Sequence, residues 1–493
     1  MPKFVFLWTD IALFLMVAGV LVYVWHVRRS PNLRATWATV GRDAPAMSSA
    51  VVLMAFVVIG LLDSIHYRPQ LPPAPGAAAN APPIYAPAVQ SALDGLLNDT
   101  VLTRPEKTYS SPLAVRQFTK ETELIDGHPI RNFPLLRSGG AHLSDPDSDW
   151  RGDVMQRLAW GVTGGVIAAL LGTVVLAAAL GRSRGGWRQG LVDVVRGHTE
   201  LPWRAMWLTY ALLCLVLAIV VALASGYHVF GTDRTGNDVL WQALKSVRTA
   251  LVIGSLTTLA MLPPAIGCGL AAGYFKGRVD DAIQYVYTTL TSIPGVLLVA
   301  ACALMMQVYI DTHPDLFDTS AARADLRLFL LCMILGLTGW SGLCRLLRAE
   351  TLKLRELEYV QAARAFGVSH WRIMRRHLLP NVMHIVLITV VLEFSGLVLY
   401  EAVLSYLGIG VDPSMNSFGS MIDSARLEMS RDPMIWWNLL TAFVFMLALV
   451  LAANLFADAV REAFDPRARR YRPKRWLKKK DVSPAQAETG AAP

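Results

Sequence analysis

Apolar runs of about the length that crosses a bilayer recur along this chain and leave few architectures open. Inside lipid, backbone N–H and C=O groups must be satisfied within the segment, so runs of roughly 20 apolar residues commit a chain to membrane-spanning helices. Nine runs are read: Phe4 to Trp25, Met47 to Leu62, Leu158 to Leu180, Met206 to Ala224, Ala250 to Tyr274, Ile283 to Tyr309, Leu326 to Leu343, Val382 to Leu407 and Trp436 to Phe456. The second, at about 16 residues, is short for a span. Composition agrees, with 54% hydrophobic and 17% charged residues among 493. The expected fold is an all-α, polytopic membrane helical bundle of about nine spans.

Charge placement orients it. Arg28, Arg29, Arg34 and Arg42 follow the first run; a signal peptide would carry its charge before the run and a small-residue cleavage point after it, so this run reads as a retained span. Arg182, Arg184, Arg188, Arg196 and Arg204, then Lys276 and Arg278, then the block from Arg345 to Arg376 mark inner loops. Asp311, Asp315 and Asp318, and later Asp412, Asp423, Glu428 and Asp432, fall on the outside. The last run delivers Arg461, Arg467, Arg469, Arg470, Arg472 and Lys478 to Lys480 to the inside. One topology satisfies every loop, with the N-terminus outside and the C-terminus inside. It also accounts for the net charge of +9 without nucleic acid, and makes the tail an anchor that meets anionic lipid. Cys214, Cys268, Cys302, Cys332 and Cys344 lie in or beside apolar runs without metal-ligand spacing, which reads as packing.

Residues 63–157 form a water-exposed insert. It opens on a Pro/Ala-rich stretch expected to be extended, and later scatters Tyr109, Phe118, Phe133, Leu135 and Leu136 among polar residues as a small folded unit would. Asp145, Asp147, Asp149 and Asp153 alternate, but lack the glycine and closing glutamate of a calcium loop, so they read as a solvated surface.

The stretch Glu358 to Asn381 is basic and helix-prone between two spans. Tyr359, Ala362, Ala363 and Phe366 fall at i, i+3, i+4 and i+7, one face of a short helix whose two alanines permit close approach. Gly367 can end that helix in the left-handed conformation, Ser369 can cap the next, Trp371, Met374 and Leu378 continue the apolar spacing, and Pro380 closes the unit. Such a helix pair reads as a docking element for a soluble partner. On the other side, Gly231, Thr232, Asp233, Gly236 and Asp238 make a turn-rich entry to a helix, with Asp238 as a cap; on chemistry alone this is an ordinary surface turn. Glu393 and Glu401 are ionisable groups inside a span, where charge is costly and faces a bundle interior or a water-filled path.

From Gln361 onward the chain resembles the "EAA" loop of bacterial ABC-importer permeases, whose pattern is E-A-A, three residues, Gly, nine residues, Ile, any residue, Leu-Pro. Ala362, Ala363, Gly367, Leu379 and Pro380 stand at those spacings, while Gln361 replaces the glutamate and His377 the isoleucine. Those departures, with Glu358, Tyr359, Arg364 and Asn381, are what the peptide/nickel branch is expected to show. GTDRTGNDV resembles that branch's GTDxxGRDV, EAVLSYLGIGVDPS its EAxLSFLGLGxxPP, and ADAVREAFDPR its ending ADALRDALDPR. The four motifs run in order from Gly231 to about Arg467, roughly half of the chain.

The resemblance implies a type I importer (MetI-like) transmembrane fold and a permease that passes peptides by alternating access. Glu358, Tyr359, Ala362, Ala363, Arg364, Phe366 and Gly367 would then form a coupling helix docked on an ATPase. The partners implied are a second permease, one or two ATPase subunits that bind ATP and Mg, and a periplasmic peptide-binding protein that the GTD segment and the loop after Gly410 could contact. The chain itself holds no G-x-x-x-x-G-K-[ST] phosphate loop and no expected cofactor or metal. Glu401, within the EAxLSFLG match, reads as a structural bond to a neighbouring span or backbone; Glu393 either lines the pathway, where it would interact with a peptide amine, or forms the contact with the second permease. A membrane-embedded hydrolase is disfavoured, since no H-E-x-x-H, G-x-S-x-G or paired intramembrane aspartates occur. A scaffold or sensor would have no use for such a loop, and peptides are favoured over nickel because no His, Cys or Met cluster lines a span. The chain divides as an extension with three spans (1–205), a first core span with its GTD segment (206–246), the permease domain (247–461) and a basic tail (462–493) in the inner membrane.

Overall fold

The computed structural model describes residues 2–71, 84–125, 128–181, 201–317 and 319–464. Most of the Pro/Ala-rich stretch, the arginines at 182, 184, 188 and 196, Asp318 and the basic tail lie outside them. Among the described residues nine helices are long and apolar enough to cross a membrane.

The first is α1 (Trp8–Arg29), followed by the short α2 (Pro31–Gly41) and by α3 (Ala44–Asp63). The second apolar run is thus extended to 20 residues, about the 30 Å a span needs. Asp43 makes the earlier start, its carboxylate accepting the Ala46 N–H at 3.4 Å, with Pro45 in the first turn. The chain before Trp8 is not helical: strand β1 (Lys3–Val5) pairs antiparallel with β2 (His66–Arg68), which pairs with β3 (Gln90–Ser91). This sheet staples the N-terminus to the insert.

The insert continues through α4 (Ala92–Leu97), opened by a reciprocal Ser91–Asp94 capping box, and a hairpin of β4 (Glu121–Ile125) and β5 (His128–Asn132). It ends in α5 (Pro146–Gly181), a 36-residue helix that projects beyond the apolar run. Asp147 pairs with Arg116 at 2.9 Å and Asp153 with Arg157 at 2.7 Å, so two of the four alternating aspartates are tied down. α5 packs against α6 (Trp203–Ala224). Gly161 and Gly165 permit this approach, since a Cβ would stand 2.6 Å from the Ile219 Cα and 2.7 Å from the Leu215 Cα.

The bundle is built around α7 (Val239–Phe275), a 37-residue helix roughly 55 Å long. It begins eleven residues before the apolar run at Ala250, and the boundary drawn at 246–247 falls inside it. Around its insert end pack Leu328, Leu331, Leu404, Phe418 and Leu449; around its other end pack Leu343, Leu347, Ile373 and Leu378. The run read from Ile283 to Tyr309 as one span is two helices, α8 (Gly277–Ser292) and α9 (Gly295–Thr312). Pro294 lacks an N–H and forces Ile293 into extended conformation (φ −89°, ψ 132°), which breaks the helix. Then come α10 (Ser320–Gly339) and α11 (Ser341–Leu354), forming one 35-residue unit, α12 (Glu358–Ala365), the single turn α13 (His370–Ile373), α14 (Leu379–Tyr406), α15 (Phe418–Glu428) and α16 (Trp437–Phe464).

Candidate functional site

At the end of the bundle opposite the insert, α12 stands between two long helical units, Ser320–Leu354 and His370–Tyr406. Its C-terminus is a full Schellman closure: Gly367 N–H bonds the Arg364 carbonyl and Val368 N–H the Ala363 carbonyl, each at 3.1 Å, with Gly367 at φ +73°. Ser369 occupies the next N-cap position with no side-chain capping bond. Pro380 does not close the unit. It sits in the first turn of α14, where its missing N–H costs nothing, and a π turn over Met374–Leu378 joins α13 to α14 without interruption.

The packed face of α12 is Val360, 2% exposed, flanked by half-buried Ala363; Ile373 and Leu378 are fully buried beside it. Of the face predicted from Tyr359, Ala362, Ala363 and Phe366, Ala363 turns toward the core and the other three point away from the protein, with Phe366 87% and Trp371 70% exposed. Glu358, Arg364 and Gly367 are also exposed. Polar ties hold the element in place. Arg355 Nη1 donates to the Tyr274 carbonyl at 2.6 Å, Tyr274 Oη meets His370 Nδ1 at 2.8 Å, and Asn381 Nδ2 donates to Tyr359 Oη at 3.0 Å. The Lys276 ammonium 3.0 Å from Glu356 holds that carboxyl below its usual range. An isolated eight-residue helix is not stable in water. This one is kept by its neighbours while a set of large apolar side chains faces outward.

The GTD segment at the other end is no surface turn. Gly231, Thr232, Gly236 and Asp238 are buried, leaving Arg234 and Thr235 exposed. Asp238 caps α7 through the Trp241 N–H at 3.0 Å and holds His228 Nδ1 at 2.7 Å. The other ring nitrogen lies 3.4 Å from Glu106 of the insert, whose carboxylate also accepts the N–H groups of Arg137, Ser138 and Gly139. Thr232 Oγ1 accepts from the Ser110 N–H at 2.7 Å and donates to the Thr108 carbonyl at 2.9 Å. Gly236, at φ +82°, lies so close to the insert that a Cβ would stand 2.0 Å from the Glu106 carbonyl oxygen. Burial pulls the His228 pKa down, but bonds to Asp238 and Glu106 and their charges outweigh it and raise it to about 9. Burial likewise raises Glu106, and the bonds from His228 and the three N–H groups override it to about 2.

The two intramembrane glutamates differ. Glu401 is 2% exposed and accepts the Ser405 Oγ hydrogen at 2.6 Å, with Ser417 and the Gly419 N–H as further donors. Glu393 lines an open cavity between α8, α9, α10 and α14. Glu401 is buried and Glu393 is exposed to its cavity; sequence reasoning passed over a further buried charge, Arg248, whose Nη2 lies 2.5 Å from Asp10 and 3.5 Å from Asp325. The signal was present in the arginine of SVRTALVIGSL, but a span begun at Ala250 leaves it in a loop.

Residues 265–470 match the family model for the binding-protein-dependent transport system inner membrane component. The chain is 30% identical over 244 residues to the oligopeptide transport system permease protein of Haemophilus influenzae, covering 50% of this chain and 72% of that protein. It is 31% identical over 245 residues to the oligopeptide transport system permease protein of Mycobacterium tuberculosis strain H37Rv, covering 50% and 78%. Against the dipeptide transport system permease protein of Lactococcus lactis subsp. cremoris it is 28% identical over 241 residues, 49% of this chain and 64% of that relative.

Proposed function

The chain belongs to the binding-protein-dependent transport system inner membrane components, and from that premise we propose that it is the permease subunit of an ATP-driven importer that carries peptides by alternating access. It is a transport subunit, not an enzyme. The observation that carries the reading is α12: a short helix, rigidly closed at Gly367, anchored by Val360 and presenting Tyr359, Ala362 and Phe366 outward between two helical units that run on into the membrane. A displacement applied to that face passes to both arms, because Tyr274, Arg355 and His370 tie them together.

In this reading the outward face of α12 sits in a groove of an ATPase subunit, with Glu358 and Arg364 flanking the apolar contact. ATP and Mg belong to the ATPases, whose closure biases the spans between two states without chemistry on the cargo. A second permease completes the pathway and a periplasmic peptide-binding protein delivers the cargo. The N-terminus and insert face the periplasm and α12 the cytoplasm. With Gly231, Thr232, Gly236 and Asp238 covered, delivery is received by Arg234, Thr235 and the insert over them, and Asp233 acts from within the turn it braces.

Disulfide trapping tests the assignment. In the assembled transporter, Phe366→Cys paired with single cysteines along the ATPase groove forms a crosslink whose yield changes when ATP is added. A Phe366→Cys thiol that reacts only with reagents supplied from the periplasmic side would overturn the reading.

A further inference from the structure

We propose that the mid-membrane cavity beside Glu393 is a subsite for the ammonium group of the transported peptide, an inference that rests on the importer reading above. The cavity measures about 480 Å³, within the range of small-ligand sites. One wall is α14, on which Glu393, Gly396 and Tyr400 fall at i, i+3 and i+7. Gly396, and Gly339 opposite, leave the space between the walls open. Glu393 stands midway along a membrane-spanning helix, and neither it nor Tyr400 has a hydrogen-bonding or ionic partner among the described residues. A carboxylate at that depth without a partner is costly against lipid and serviceable against a hydrated path or a cation.

A second, independent feature points to the same charge. The helix break at Ile293–Pro294 opens into this cavity, so α8 ends there, with Leu290 and Thr291 in the wall. The N–H groups of Leu297 and Leu298 both return to the Pro294 carbonyl; of the last carbonyls of α8, that of Thr289 accepts the Ser292 Oγ hydrogen at 2.7 Å, and those of Leu290, Thr291 and Ser292 take no hydrogen bond among the described residues. A helix C-terminus carries roughly half a negative charge, and broken helices at the bilayer midplane hold cations this way in transporters generally. Carboxylate, phenolic oxygen and free carbonyls converge on one space. An ammonium donates three hydrogen bonds and accepts none, which is the complement of that set.

The test uses the complete assembly with its second permease, ATPases and solute-binding protein. Detergent-purified assembly is treated with a hydrophobic carbodiimide, and modification of Glu393 is read by mass spectrometry. Tri-alanine with a free amine protects Glu393, whereas N-acetyl-tri-alanine does not; equal protection by both, or by neither, overturns the proposal. In proteoliposomes, Glu393→Gln lowers tri-alanine uptake roughly tenfold, the loss of one charge-assisted hydrogen bond. Glu393→Asp retains most of the uptake, and ATPase stimulation and co-purification of the second permease are unchanged. Loss of the second permease from Glu393→Gln preparations assigns the residue to the subunit contact and overturns the subsite. Wild-type protein that imports no peptide defeats the importer reading itself, whereas wild-type import with unaltered uptake by Glu393→Gln defeats only this inference.

Discussion

Gly367 holds φ +73° with no atom within 4 Å of where a Cβ would stand, so a side chain there meets backbone strain and no clash. A β-branched residue pays about 1–2 kcal/mol to stay left-handed, or abandons the Schellman closure and lets α12 turn. Gly367→Val is therefore expected to cut uptake at least about tenfold with membrane insertion intact, while Gly367→Asn, at home in that conformation, keeps most of it. Normal uptake by a well-inserted Gly367→Val variant would refute the coupling role. His228 makes a prediction of the opposite kind, about docking of the insert. Its folded pKa of about 9 lies above the ordinary 6.5, so its contribution, of order 3 kcal/mol, is whole below about pH 6.5 and is lost as pH rises through 9. Glu106, lowered to about 2 from 4.5, contributes fully above about pH 4.5 and loses this only as pH falls through 2. Hydrogen exchange across residues 106–139 should quicken between pH 7 and 9.5 beyond its intrinsic rise, and His228→Gln should flatten that excess. Gly367 was legible because a glycine after an amphipathic octet has a local cause. His228 was not, because its partner Glu106 stands 122 positions away and nothing local links them.

At the scale of the element, helical spacing identified α12 but not which of its faces is packed. Tyr359, Ala362 and Phe366 have the period of a buried stripe, yet Val360 is the buried residue and Phe366 the exposed one. Periodicity records where apolar side chains lie, and a face kept for another subunit has the same spacing as one kept for the core. The difference is testable in two substitutions. Phe366→Ala should weaken co-purification with the ATPase by roughly ten- to a hundredfold, the range for one large apolar side chain, without altering the melting of the permease. Val360→Ala should do the reverse, loosening the element and leaving a smaller effect on association. Identical profiles for the two would sink the distinction between an anchoring face and a docking face. The Ile293–Pro294 break is another element-scale feature that hydropathy smoothed over. The apolar count continues across it, and only the missing N–H marks where one span becomes two helices.

For the whole molecule the question is how an extension with no counterpart in the permease motifs is joined to the permease core. Hydropathy counted the first two spans but could not say what holds them. The answer is a buried polar clamp at the insert end of α7: Arg248 bonds Asp10 at 2.5 Å and Thr9 at 2.7 Å, and reaches Ser64 at 3.3 Å and Asp325 of α10 at 3.5 Å. Nearby, Lys245 pairs with Asp63 at 3.2 Å and Asp94 at 2.8 Å, so α1, α3, α4 and the core meet around two cations of one helix. Such a clamp adds little net stability against an apolar equivalent, but removing one side leaves a buried charge uncompensated at about 3–5 kcal/mol. A core lacking residues 1–63 therefore deprives Arg248 of Asp10 and Thr9 and Lys245 of Asp63 at once, leaving Arg248 only the more distant Asp325 and Ser64. That truncation should express poorly and aggregate, whereas the same truncation carrying Arg248→Leu should regain a monodisperse peak on size exclusion, because the charge rather than the missing spans is what the core cannot bear. In the full-length chain Arg248→Ala should lower the melting temperature by several degrees, and Arg248→Lys should recover only part, since an ammonium cannot reproduce the fork that serves Asp10, Thr9 and Ser64 together. If the truncated core is equally poor with and without Arg248→Leu, packing of α1 and α3 against α7 and α16 is what joins the extension to the core, and the clamp is incidental.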